Sequence, residues 1–280
     1  MKLLPDFPAA RLVKVAGGTL SVAEQQGDGP PLVLLHGFTD CADSFRLLLP
    51  YLAGQHLVIP DLRGHGQSFR DPQLTLSDFA QDIAGLLDAL NLRQVCLVGH
   101  SMGTLIALTL TGLRPDRVAG LVLLSPSLRP AGPAMSQLRN CVASLPEPLS
   151  PTDPFFTEWY HGESPLPQGF TTLLAHSACA MRRSDWTAIL QNLETTELTD
   201  AARAIALPVL ALSGQKDPIF PPEHHHHLIE TLRPEMHEHW PDCGHNPHWE
   251  RPQAVARALL GFRQTLPRGR RHAPFAVAYI

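Results

Sequence analysis

Five short, uninterrupted apolar runs punctuate the chain: Leu32–Leu35, Leu57–Ile59, Val95–Val98, Leu121–Leu124 and Val209–Leu212. A run without a polar position suits a strand covered on both faces, as in a parallel sheet. Between the runs the period changes. From Thr75 to Leu90, the residues Leu76, Phe79, Ala80, Ile83, Leu87 and Leu90 recur at helical spacing on one face. Thr75, with Asp78 three residues on, has the form of a cap at the start of that helix. Residues 252–265 repeat the amphipathic pattern behind Pro252, a residue suited to a first helical turn. Met236–Trp240 reads as one more short strand, and Leu12–Val15 and Leu20–Ala23 flank Gly17-Gly18 as a hairpin. Alternation of strands and helices predicts an α/β fold, a mostly parallel central sheet flanked by helices.

The rhythm breaks between about 127 and 204. That stretch is rich in proline at first (Pro130, Pro133, Pro146, Pro148, Pro151, Pro154) and then carries Phe155, Phe156, Trp159, Tyr160, Phe170 and Trp186 among helical patterns. The division expected is a core of residues 1–126 and 205–280 with a mainly helical cap, 127–204, inserted in it. The tail from Pro267 to Ile280 reads as a loosely held end.

A chain of 280 residues with 44% hydrophobic and 17% charged residues suits one soluble globular core with an insertion. The net charge of −4 gives no electrostatic reason to expect nucleic acid or an anionic membrane as partner. Cys41, Cys96, Cys141, Cys179 and Cys243 are scattered, odd in number and without CxxC spacing, which fits neither a disulfide framework nor a zinc site. No apolar run has the length of a signal peptide or a membrane span. A cytoplasmic location is expected.

Chemistry enters with Gly99-His100-Ser101-Met102-Gly103, directly after the run Val95–Val98 and before the apolar stretch Leu105–Leu110. A G-x-S-x-G turn between strand and helix holds the serine on a tight bend, and glycines at 99 and 103 avoid a clash with neighbouring backbone. Ser101 is the candidate nucleophile. The amide of Met102, at a helix N-terminus, and that of Phe38, in His36-Gly37-Phe38 at the end of the first buried run, are the candidate oxyanion donors.

A serine hydroxyl needs a base, and a histidine base needs an acid to set its tautomer. Of the 15 histidines, His245 lies in Cys243-Gly244-His245-Asn246-Pro247, a loop following the last strand. Ligand sites of open α/β sheets collect at that edge. Its neighbour His248 is the rival and is assigned to the pocket lining. Asp217 follows the run Val209–Leu212 and completes the order Ser, Asp, His. Asp242, close to His245 in sequence, is assigned to shaping the turn. The tract His224-His225-His226-His227 opens a helix on which only His224 and His227 can face together, so no metal site is expected.

These motifs, together with Asp61-Leu62-Arg63-Gly64-His65-Gly66-Gln67-Ser68, make the chain resemble the α/β-hydrolase superfamily over about residues 10–265. The resemblance implies the α/β-hydrolase fold, a structural turn at 61–68, and hydrolysis of a carboxylic ester or lactone through an acyl-enzyme on Ser101, with no cofactor. Carbon–carbon bond hydrolases of ring-cleavage products, perhydrolases and small-ligand receptors of the same fold remain alternatives. Epoxide hydrolases and haloalkane dehalogenases, which resemble this scaffold with aspartate as nucleophile, do not match Ser101. The expected ligand is a small to medium, largely apolar molecule, in a pocket drawn from His36, Trp159, Tyr160, Trp186 and His248.

Overall fold

A computed structural model describes residues 4–266; the tail assigned above to a loose end lies outside the described residues. Eight strands form one sheet in the order β1-β2-β4-β3-β5-β6-β7-β8, comprising β1 (Ala10–Val15), β2 (Gly18–Gln25), β3 (Asp28–Leu35), β4 (Gln55–Pro60), β5 (Val95–His100), β6 (Val118–Leu124), β7 (Val209–Gly214) and β8 (Met236–Trp240). β1 and β2 form the expected hairpin, and β2 runs antiparallel to β4. Every other pairing is parallel. The five apolar runs are strands of this sheet, and Leu32–Leu35, Val95–Val98 and Leu121–Leu124 are buried on both faces.

Helices α1 (Leu76–Ala89) and α2 (Met102–Leu113) pack against each other, and α1 also touches β1. α1 begins at Thr75, whose side chain accepts from the Asp78 amide while the Asp78 carboxylate accepts from the Thr75 amide. Between β6 and β7 the chain contains no described strand. It forms α3 (Pro133–Ser144), α4 (Pro154–Trp159), α5 (Phe170–Ala178), α6 (Arg183–Glu194) and α7 (Thr199–Arg203). α8 (Pro222–Leu232) precedes β8; α9 (Pro247–Glu250) and α10 (Pro252–Thr265) close the described chain.

One apolar cluster joins α1, α2 and their sheet face to the inserted helices through Phe38, Phe155, Phe156, Trp186 and Trp249. A second, smaller cluster packs α10 with Phe262 on the opposite face. The inserted helices therefore share their core with the sheet.

Candidate active site

The chain turns tightly directly after β5. Ser101 has φ 51° and ψ −115°, a conformation a non-glycine residue adopts only when its surroundings hold it there. A Cβ at Gly99 would strike the Gly103 carbonyl, and one at Gly103 the Leu35 carbonyl. β5, the turn and β3 are therefore pressed together, and α2 starts one residue after the serine. The Met102 amide is the first of α2 and one of the early helical donors without an intrahelical acceptor.

Two further loops converge on this turn. His245 Nε2 is 2.9 Å from Ser101 Oγ, and His245 Nδ1 is 2.7 Å from Asp217 Oδ2. A carboxylate only accepts, so Nδ1 carries the proton and Nε2 faces the serine as acceptor. Asp217 Oδ1 accepts from the amides of Ile219 (2.8 Å) and Phe220 (2.9 Å), which leaves Oδ2 for His245. The Phe220 ring packs edge-on against His245 at 5.4 Å. Gly214 ends β7 against the backbone of Cys243 and Gly244, so the loops of the acid and the base are locked to each other. Asp242 forms an ion pair with Arg251, away from the histidine.

Ser101 and His245 open into a cavity of about 360 Å³, near the lower end of the ~300–1,000 Å³ of small-molecule pockets. Phe38, Trp159 and Tyr160 line it, and so does Phe155. Trp159 Nε1 donates to Thr39 Oγ1 at 2.8 Å, and the Tyr160 hydroxyl donates to the Thr39 carbonyl at 3.3 Å. The inserted helices thus grip the loop that bears Phe38.

Three residues expected in the pocket wall do not line it. His36 lies beneath the loop: its Nε2 accepts from the Leu62 amide at 3.0 Å and its Nδ1 donates to the Gly37 carbonyl at 2.9 Å. Trp186 is fully buried behind Phe38, Phe155 and Phe156, where it supports the wall. His248 is fully buried against His100 and Ser44 because α9 turns its side chain inward. The Met102 side chain also lies in the core. Asp40, Glu158, Glu163 and Glu250 line the cavity and were not anticipated. Asp40 carried a signal, since it lies two residues beyond Phe38 on the same loop; the glutamates carried none.

The segment 61–68 is a tied turn. Asp61 accepts from the amides of Ala42 (2.8 Å) and Gln67 (3.0 Å), and Arg63 pairs with Asp82. His65 packs edge-on against His36 at 4.9 Å. Burial lowers the pKa of His36 to about 4 and of His65 to about 3. Both are neutral in the fold, whereas in the unfolded chain each titrates near ~6.5. Below that value the unfolded state binds more protons, so stability falls as pH falls, by up to about 1.4 kcal/mol per pH unit for each histidine. Tm is expected to decline steadily from pH 7 to pH 5; a flat profile would contradict these two neutral rings. In the histidine tract, His224 bonds Ser127, His225 bonds Ser213 and His227 bonds Thr199.

Comparison with known proteins places the chain in a family and supports the fold. The pattern of a family described as "Alpha/beta hydrolase family" matches residues 32–258. "Epoxide hydrolase 3" of Siraitia grosvenorii is 40% identical over 114 residues, 39% of this chain and 36% of its own. "Esterase YbfF" of Escherichia coli (strain K12) is 37% identical over 103 residues, 36% of this chain and 41% of its own. The chain thus spans less than half the length of these curated relatives. Among solved structures, a thermophilic esterase from Thermogutta terrifontis with malate bound superposes with a TM-score of 0.75 at 26% identity, covering 91% of this chain and 98% of that one. Among the described residues, no helix is long and apolar enough to cross a membrane, and no group of three or more His, Cys, Asp and Glu side chains is arranged to hold a metal.

Proposed function

We propose that this chain, which belongs to the alpha/beta hydrolase family, cleaves carboxylic esters of small to medium substrates through an acyl-enzyme on Ser101. The observation that carries the reading is the continuous contact from Ser101 Oγ through both nitrogens of His245 to Asp217. In the proposed cycle His245 takes the serine proton as Oγ attacks the ester carbonyl. The amides of Phe38 and Met102 hold the oxyanion. The C–O bond to the alcohol breaks as His245 returns the proton to the leaving oxygen. Water then enters and gives a proton to His245 as its oxygen attacks the acyl carbon; the bond to Oγ breaks, His245 returns the proton to Ser101 Oγ, and the acid leaves.

In this reading residues 1–126 and 205–280 are the catalytic core, and 127–204 are a cap that supplies Phe155, Trp159 and Tyr160 to the cavity wall. Ester is favoured over epoxide because a serine stands where the resemblance to epoxide hydrolases calls for an aspartate. A lactone fits the same cycle. The five cysteines are free thiols, which suits a reducing compartment, and the cytoplasm is the proposed location.

The test is hydrolysis of 4-nitrophenyl esters from acetate to decanoate. Repeated turnover is expected, fastest for short acyl chains because the cavity is small, and lower at decanoate. A single slow burst would point instead to a ligand receptor. No turnover by folded protein would shift the reading to a carbon–carbon bond substrate.

A further inference from the structure

The turn bearing the Phe38 amide is strained. The Asp40 amide donates to the Gly37 carbonyl at 3.3 Å, so Phe38 and Thr39 are the central residues of a tight turn. Of the two, Thr39 alone has a positive φ, 64°. A type II turn has this pattern and takes glycine or asparagine at its third position. A β-branched side chain there is an outlier, kept only where its surroundings hold it.

The inserted helices supply the hold. Thr39 is fully buried. Trp159 Nε1 donates to Thr39 Oγ1 at 2.8 Å, and the Tyr160 hydroxyl donates to the Thr39 carbonyl at 3.3 Å. The Tyr160 proton is thereby committed, so the Thr39 hydroxyl, 3.3 Å from the Tyr160 oxygen, donates to it. The Phe38 ring packs edge-on against Trp159 at 6.0 Å and Trp186 at 5.7 Å. Both central residues of the turn are thus fastened from the insertion, and Trp159 touches each.

A pocket wall alone would use the ring of Trp159 and leave its N–H free. Here the N–H is spent on the one residue of the turn whose backbone needs support.

We propose that Trp159, acting through Thr39, is a positioning residue for the oxyanion site. It holds the strained turn in place, so that the Phe38 amide meets the developing oxyanion. This rests on the ester-hydrolase reading and deepens it: the seating of the insertion then governs the chemical step as well as binding.

The test compares Trp159→Phe, Thr39→Val and Thr39→Gly on 4-nitrophenyl butyrate. Trp159 is only half-buried, and phenylalanine keeps an aromatic ring in the wall while losing the N–H. Trp159→Phe should lower kcat about five- to tenfold, the scale of one net hydrogen bond and less than the ~10²–10³ of losing an oxyanion donor outright. KM should stay within about twofold. Inhibition by 1,1,1-trifluorohexan-2-one should weaken in proportion to kcat/KM. In that adduct Ser101 Oγ bonds to the ketone carbon, His245 takes the serine proton and the ketone oxygen becomes the oxyanion. Thr39→Val should match Trp159→Phe, and the double variant should be no worse than either. Thr39→Gly loses the same hydroxyl but needs no support at positive φ, so its kcat should exceed that of Thr39→Val severalfold. Thr39→Asn repeats the comparison with a second residue at ease there.

An unchanged kcat in Trp159→Phe, or a rise in KM alone, would make Trp159 a wall and overturn the proposal. Equal kcat for Thr39→Val and both the glycine and asparagine variants would overturn the support of a strained turn. If the wild type cleaves no ester the hydrolase reading fails, and the hold on the turn is then decided by hydrogen exchange. The Asp40 amide should exchange about tenfold faster in Trp159→Phe than in the wild type, and equal rates would overturn it.

Discussion

Ser101→Ala is expected to lower turnover of 4-nitrophenyl butyrate about 10⁴- to 10⁶-fold and to leave Tm within a few degrees of the wild type. The first expectation follows from the chain of contacts. Without Oγ, His245 has no proton to take, and the oxyanion donors have no attack to stabilise. The second follows from how the turn is built. The backbone at 101 is held by the close approach of Gly99 to Gly103 and of Gly103 to Leu35, and the Ser101 amide donates to the Leu124 carbonyl at 3.0 Å. No side-chain cap from Ser101 supports α2. Alanine keeps the backbone contacts and loses one hydrogen bond to a part-buried histidine, worth about 1 kcal/mol. A folded Ser101→Ala protein that still cleaves the ester within tenfold of the wild type would remove Ser101 from the mechanism.

Much of this arrangement was legible in the sequence, and the reason is locality. Val95–Val98 announces a buried strand because no polar residue interrupts it, and the glycines at 99 and 103 announce the turn because only a crowded bend needs both. Pro252 and Thr75 mark helix starts through chemistry confined to one turn, and both helices begin where those residues predict. The meeting of Ser101, Asp217 and His245 was accessible by a further step: each follows a strand of one parallel sheet, and the ends of such strands share an edge.

The pocket wall was less legible because side-chain direction within the insertion depends on how its helices pack. Phe155 and Trp186 look alike in the sequence, yet one faces the cavity and the other fills the space behind it. His36 directly follows a strand aimed at the site and nevertheless turns under the loop, where the Leu62 amide needs an acceptor. Glu250 carries no signal at all. It lines the cavity because its carboxylate accepts from the Gly244 amide at 2.9 Å across the α9 turn, and burial there raises its pKa.

Asp217→Asn is expected to cost about 10⁴-fold in kcat with a small change in Tm, and the surrounding hydrogen bonds explain why so conservative a change matters. The amides of Ile219 and Phe220 both donate to Asp217 Oδ1. In the asparagine variant the amide oxygen must stay there, because the opposite rotamer would set an NH₂ group against two N–H donors. The NH₂ group is then directed at His245 Nδ1. That nitrogen becomes an acceptor, and the ring proton moves to Nε2, the atom that should take the proton of Ser101. The loop keeps its two backbone hydrogen bonds, so the variant folds while holding the base in the wrong tautomer. Asp217→Ala would lose the loop bonds as well and would mix instability with the tautomer effect. The measurement is kcat for 4-nitrophenyl butyrate beside a thermal melt. A loss below tenfold in a folded protein would mean that another group orients His245, and Asp242, the nearest acid in sequence, would be the first to replace.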